Sequence, residues 1–127
     1  MSLKFMINFL NILKVGYKTR KKKIKIQEKY IPLNLLIFLY KRGIIDTWKF
    51  ENNCFNITLR YLNNKPIFNN IKFISTGGQR VYLKKQQNLK YYKDNIEIIL
   101  ITSKGFMTNK EAAEIGIGGE VFIIIYY

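Results

Sequence analysis

The stretch 102–121 leaves this chain the least freedom. Thr108, with Glu111 three residues on, forms a capping box, in which each side chain satisfies a backbone N–H that a helix start leaves open. Gly116, Gly118 and Gly119 break that helix after about two turns. A hydroxyl-rich turn, Thr102-Ser103-Lys104-Gly105, precedes the helix. Strand-like apolar runs at 95–101 and 120–127 flank the whole stretch. A shorter strand-like piece occupies 80–83, and 84–94 reads as a basic, aromatic loop with a helical turn. Three strands and one short helix predict a C-terminal antiparallel β unit over 76–127.

The N-terminal part reads differently. Leu3, Met6, Ile7, Leu10 and Leu13 form an apolar stripe, with Phe9 and Ile12 off it, which predicts a core-packed helix over 3–15 stopped by Gly16. A targeting helix would carry Arg and Ser, and this segment has no Arg and only Ser2. Residues 23–27 alternate polar and apolar, as a short strand does. Pro32 suits a first helical position, and Lys41, Arg42 and Gly43 are stop signals after the run 33–39. Strands follow at 44–50, 54–61 and 70–75, separated by Asn-rich turns. These elements predict a two-helix, three-strand unit over 1–75, with Thr76-Gly77-Gly78 as linker. The fold class is α+β, in two small domains.

Charge decides what such a fold would meet. The 127 residues include 22 basic and 8 acidic side chains, a formal charge of +14. That excess repels itself in the compact state and seeks a polyanion: RNA, DNA or an anionic membrane surface. Arg20, Lys21, Lys22 and Lys23 concentrate it in a segment too charged to bury, which reads as a phosphate-contacting loop. No apolar run approaches the roughly 20 residues needed to cross a bilayer, so the chain reads as soluble.

Enzyme chemistry finds little support. The chain has no histidine, the commonest general base at neutral pH, and one cysteine, Cys54, which reads as a buried apolar thiol. Neither a disulfide nor a zinc site follows, and no catalytic residue, metal or cofactor is predicted. The glycines at 116–119 follow a helix and lead into a strand, the reverse of a dinucleotide loop. Thr102-Ser103-Lys104-Gly105 lacks the spacer and second glycine of a phosphate loop. Hydroxyls and open backbone beside glycine suit sugar and base edges instead.

Residues 74–82, Ile-Ser-Thr-Gly-Gly-Gln-Arg-Val-Tyr, followed by the stretch ending Gly118-Gly119-Glu120-Val121, closely resemble bacterial-type small-subunit ribosomal protein eight. The resemblance extends more loosely through Pro32 and Gly43-Ile44-Ile45 to the first helix. It implies a two-domain α+β protein that binds small-subunit ribosomal RNA early in assembly. It implies that the C-terminal domain grips an irregular helix of the central domain, or platform. The implied contacts are Tyr82; Thr102 and Ser103, with Lys104 and Gly105 behind them; and the turn Gly118, Gly119 and Glu120. The glycines would let RNA approach. Glu120 would accept from a 2′-hydroxyl or base amino group, or else serve a backbone N–H of its own turn.

Two positions depart from the family pattern. Ile101 stands where the family usually has Ser, and Gly77 where it usually has Pro, which loosens the hinge. The resemblance starts within the first few residues, right behind Met1, which reads as leaving no room for a removed presequence. Ile, Asn, Lys, Phe and Tyr dominate over Ala and Pro, a skew that points to AT-rich coding. Together these place the protein on a mitochondrial ribosome, with a plastid-type organelle or a bacterial cytoplasm as alternatives. Expected partners are the ribosomal RNA and neighbouring small-subunit proteins, with no membrane and no small-molecule substrate. The rival classes are a free RNA-binding or translational-repressor module and, further off, a basic membrane-surface protein.

Overall fold

A computed structural model describes residues 3–75, 78–88, 90–91 and 93–127. The chain divides into two compact units between Ile67 and Phe68. The boundary therefore precedes the expected 75/76 break. Thr76 and Gly77 of the expected linker lie outside the described residues. No helix among the described residues is long and apolar enough to cross a membrane.

The first unit opens with α1, Leu3–Lys18. Its stripe of Leu3, Met6, Leu10 and Leu13 is buried, and so are Phe9 and Tyr17, whereas Ile12 is exposed. The helix runs through Gly16, the expected stop. A Cβ there would lie 3.2 Å from Leu59 Cδ1 and 3.3 Å from Ile24 Cδ1, so this glycine allows close packing of helix on sheet. Strand β1, Lys23–Gln27, and a 3₁₀ turn, Glu28–Tyr30, lead to α2, Leu33–Lys41. Pro32 is the N-cap of α2, and Gly43, at φ 79°, follows its C-cap Arg42. A left-handed residue at that place is a common way to end a helix.

Strands β2, Ile45–Glu51, and β3, Cys54–Leu59, join β1 in an antiparallel sheet of order β1-β3-β2. Asn52 and Asn53 turn the hairpin with φ of 51° and 60°, the positive pair that a type I′ turn requires. Strand alternation sends Phe55, Ile57 and Leu59 inward. Cys54 falls on the opposite parity, half-buried on the outward face, and is not the core thiol expected of it. A small hairpin, β4 Tyr61–Leu62 and β5 Lys65–Pro66, completes the unit. Tyr17 is its buried polar anchor. Its hydroxyl donates to the Ile44 carbonyl and accepts from the Arg60 N–H at 3.0 Å. Burial pushes this phenol up to about 12.

Among its described residues the second unit contains five strands, where three were expected. They are β6 Asn70–Phe73, β7 Tyr82–Leu83, β8 Ile96–Thr102, β9 Gly105–Thr108 and β10 Gly119–Tyr126. The sheet order is β6-β10-β8-β9, with β7 also pairing β10. The strand expected at 70–75 does form. It joins this sheet, not the first, with Ile71 opposite Ile125 and Phe73 opposite Ile123. Strand β9 was the other omission: the hydroxyl-rich turn leads back along β8 before the helix begins.

Helix α3, Asn109–Ile115, closes its capping box as the sequence predicts. The Glu111 N–H donates to Thr108 Oγ1 at 3.1 Å, and the Thr108 N–H donates to Glu111 Oε1 at 3.2 Å. Gly116, at φ 86°, ends it. Fully buried Ala112 belongs to a core with Leu83, Ile98, Leu100, Met107 and Val121. The opposite sheet face buries Ile71, Ile99, Ile123 and Ile125.

Candidate nucleic-acid interface

Strand register assembles most of the candidate residues in the second unit. Tyr82 lies opposite Glu120, Glu120 opposite Ile101, and Ile101 opposite Phe106. Directly opposed residues share a face, so these four form one row across β7, β10, β8 and β9. Tyr82 is 67% exposed, which leaves its ring free to stack or its hydroxyl to bond. Short β7 is held in place by Ser75, a fully buried hydroxyl that accepts from the Val81 N–H at 2.9 Å. The Val121 N–H donates to the Val81 carbonyl at 2.8 Å on the other side.

Glu120 has a partner that sequence reasoning missed. Arg80 Nη1 donates to both its carboxylate oxygens, at 2.7 and 3.1 Å. The carboxylate side chain is 8% exposed and the guanidinium side chain 49%. Glu120 is thus neither open nor paired with a backbone N–H of the glycine turn. It fixes one side of Arg80, and the planar guanidinium has further donors to offer. A signal was available: Arg80 stands two residues before Tyr82, on the same strand parity, in a chain where acids are scarce.

The glycines have a local cause. A Cβ on Gly118 would collide with the Leu83 carbonyl oxygen and lie 3.0 Å from the Lys85 nitrogen. One on Gly119 would meet the Ile101 carbonyl oxygen and Thr102 Cγ2, both at 2.8 Å. A side chain at either position would collide with the chain's own strands. These glycines let β7 and β8 close on β10.

The hydroxyl-rich turn is the β8–β9 hairpin. Thr102 Oγ1 donates to the Gly105 carbonyl at 2.8 Å and accepts from the Lys104 N–H at 3.1 Å, so this hydroxyl serves the bend. Gly105, at φ 99°, supplies the positive angle. Ser103 and Lys104 project from the tip and are exposed.

Arg20, Lys21, Lys22 and Lys23 belong to the first unit, between α1 and β1. Arg20 adopts φ 59° and its Nη1 donates to the Asn64 carbonyl. The Tyr61 hydroxyl donates to the Lys21 carbonyl at 2.6 Å, and desolvation raises that phenol above its ordinary value while Arg20 pulls it the other way. The turn's backbone is therefore held, and the side chains of Lys21, Lys22 and Lys23 are exposed. Among the described residues, no cluster of three His, Cys, Asp or Glu could hold a metal.

Comparison with known proteins identifies the family of the chain. The family described as ribosomal protein S8 matches residues 5–126. A small ribosomal subunit protein uS8m of Acanthamoeba castellanii is 41% identical over 122 residues, covering 93% of this chain and 95% of that protein. The uS8 protein of Ehrlichia canis is 31% identical over 124 residues, covering 94% of each. That of Citrifermentans bemidjiense is 34% identical over 110 residues, covering 82% of this chain and 83% of the relative. With nearly every residue matched, the chain belongs to the ribosomal protein S8 family of the small ribosomal subunit.

Proposed function

We propose that this chain binds small-subunit ribosomal RNA directly and helps organise the central domain, or platform, of the subunit. The carrying observation is the Arg80–Glu120 pair beside exposed Tyr82. A guanidinium held by a nearly buried carboxylate arrives pre-oriented, so its remaining donors can read a phosphate or base edge with little ordering cost. Ser103 and Lys104 extend the same reading from the hairpin tip. Ser103 offers a small hydroxyl to a 2′-hydroxyl or base edge, and Lys104 a mobile charge to phosphate. In this reading Glu120, Gly118, Gly119, Thr102 and Gly105 shape the surface, while Arg80, Tyr82, Ser103 and Lys104 touch the RNA. Ile101 lies beside Glu120 in the row, where the family's usual hydroxyl would have stood. That contact has to come from a neighbour or from an altered RNA.

The 41% identical relative is a uS8m protein, which supports a mitochondrial ribosome as the site of action, among neighbouring small-subunit proteins. The test is crosslinking of the full chain to small-subunit RNA, with sedimentation at high salt. Crosslinks from Tyr82 and Ser103 to a central-domain helix, and co-sedimentation with the subunit, are expected. A Ser103→Ala variant should lose about 1–3 kcal/mol on cognate RNA. A chain that stays at the top of the gradient would sink the proposal.

A further inference from the structure

The outward face of the first unit's sheet has no role in the reading above. Register places Lys25, Asn56 and Lys49 in one row across β1, β3 and β2. Lys23, Thr58 and Thr47 form the row on one side, and Gln27, Cys54 and Glu51 the row on the other. The central-strand residues Cys54, Asn56 and Thr58 are half-buried, and the flanking residues of all three rows are exposed. The apolar residues of these strands, Ile26, Phe55 and Ile57 among them, face the other way.

Resting on the RNA-binding reading, we infer that this sheet face is a second contact surface, one that tracks the sugar-phosphate backbone of an RNA helix. Three observations select that occupant. First, the face gathers Lys23, Lys25 and Lys49 against Glu51, and no carboxylate pairs with the three lysines among the described residues. Neighbouring strands lie about 5 Å apart, which puts Lys25 and Lys49 about 10 Å from each other across Asn56. Like charges brought that close on one face are better tolerated with an anion between them. Second, the groups between the lysines are Asn56, Thr58 and Thr47, short uncharged donors and acceptors that suit phosphate oxygens and 2′-hydroxyls. Third, the face carries no aromatic ring, since Trp48, Phe50 and Phe55 have the opposite parity. A surface without a stacking platform does not hold splayed bases. It contacts backbone, without regard to sequence. The basic turn Lys21–Lys22 runs into Lys23, so turn and face form one continuous basic surface.

The experiment uses the full-length chain and titrates binding against salt on two RNAs, the central-domain helix and an unrelated duplex of equal length. The double variant Lys25→Gln/Lys49→Gln is compared with a control of equal charge, Lys41→Gln/Lys65→Gln, whose side chains lie off this face. The sheet-face variant should flatten the slope of log affinity against log salt by about 1.4–1.8, and should weaken both RNAs by the same factor. The control should leave the slope nearer that of the parent chain. An unchanged slope, or equal effects of variant and control, would overturn the inference while leaving the proposed function intact. A sheet-face variant that binds RNA like the parent yet fails to enter the small subunit would overturn it in favour of a protein neighbour. If the parent chain binds neither RNA, the proposed function falls first.

Discussion

In the second unit, Arg80 reaches a nearly buried carboxylate at 2.7 Å, and Tyr82 stands on a strand clamped by Ser75 and Val121. In the first unit, Lys21, Lys22 and Lys23 leave a turn whose backbone is tied down by Tyr61 but whose side chains are exposed. Both regions are candidates for the same polyanion. They differ in where the ordering cost is met. At Arg80 it is met on folding, so a correctly placed RNA group gains nearly the whole interaction. At the lysines it is met on binding, so they supply attraction that any phosphate can use. Specificity should therefore reside in the second unit and salt sensitivity in the first.

The largest expected effect breaks the fixed region directly. Arg80→Ala leaves the Glu120 carboxylate with little solvent and no cation. The loss of stability should be about 2–3 kcal/mol, below the value for a fully buried pair because half of the guanidinium is exposed. Urea denaturation of Arg80→Ala, Glu120→Gln and the double variant gives the coupling energy. A coupling near zero would mean that Arg80 is no better fixed than the lysines, and the contrast between the regions would disappear.

Gly118→Ala acts on the same region through packing. Its new Cβ would press on the Leu83 carbonyl and the Lys85 nitrogen, and backbone cannot swing aside as a side chain can. A cost of about 1–3 kcal/mol is expected. Because β7 must move, cognate RNA binding should fall more than binding to an unrelated duplex. Equal losses on the two RNAs would show that Tyr82 does not depend on its strand.

The first unit also has a fixed group that serves the fold. Tyr17 is neutral in the folded state up to about 12, against an ordinary value of 10.0. The unfolded chain loses that proton first, so the contribution is fully present below pH 10 and disappears as pH rises from 10 to about 12. Tyr17→Phe should cost about 1 kcal/mol at neutral pH, through the lost bonds to Ile44 and Arg60, and should flatten the alkaline fall. Thermal denaturation at pH 9, 10 and 11 checks both. RNA affinity at pH 7 should not change.

How much of this could be read beforehand depended on sequence distance. The capping box at Thr108, the stop at Gly116 and the strand at 95–101 are local patterns, and they formed as predicted. The strand near 70 was legible as a strand, but its sheet was not. Its partner β10 lies some fifty residues away, and an alternating apolar run fits either sheet. Strand β9 is four residues long and begins at Gly105, so it read as the approach to a helix. Tyr82 was named only through the resemblance to the family, and Ser103 and Lys104 also as part of a hydroxyl-rich turn. The Arg80–Glu120 pair was not legible, because its members are forty residues apart and meet only through the β7–β10 register. The glycines at 118 and 119 were seen as breakers, while what crowds them is carbonyl backbone from strands not yet placed.

The smallest effect on folding belongs to Lys22, and it separates the two regions most cleanly. Lys22 is exposed, with no ion pair among the described residues, so Lys22→Ala should change stability by no more than about 0.5 kcal/mol. Its effect should appear only in the salt dependence of RNA binding. Each phosphate contact removed lowers the slope of log affinity against log salt by about 0.7–0.9, and does so equally on cognate and unrelated RNA. Ser103→Ala should behave in the opposite way, with an unchanged slope and a loss confined to cognate RNA. A filter-binding titration from low to moderate salt, run on both RNAs with both variants, reads all four responses. Should Lys22→Ala discriminate between the RNAs, the basic turn would be reading a particular geometry. The first unit would then share in specificity, and the division drawn between a fixed region and a mobile one would have to be given up.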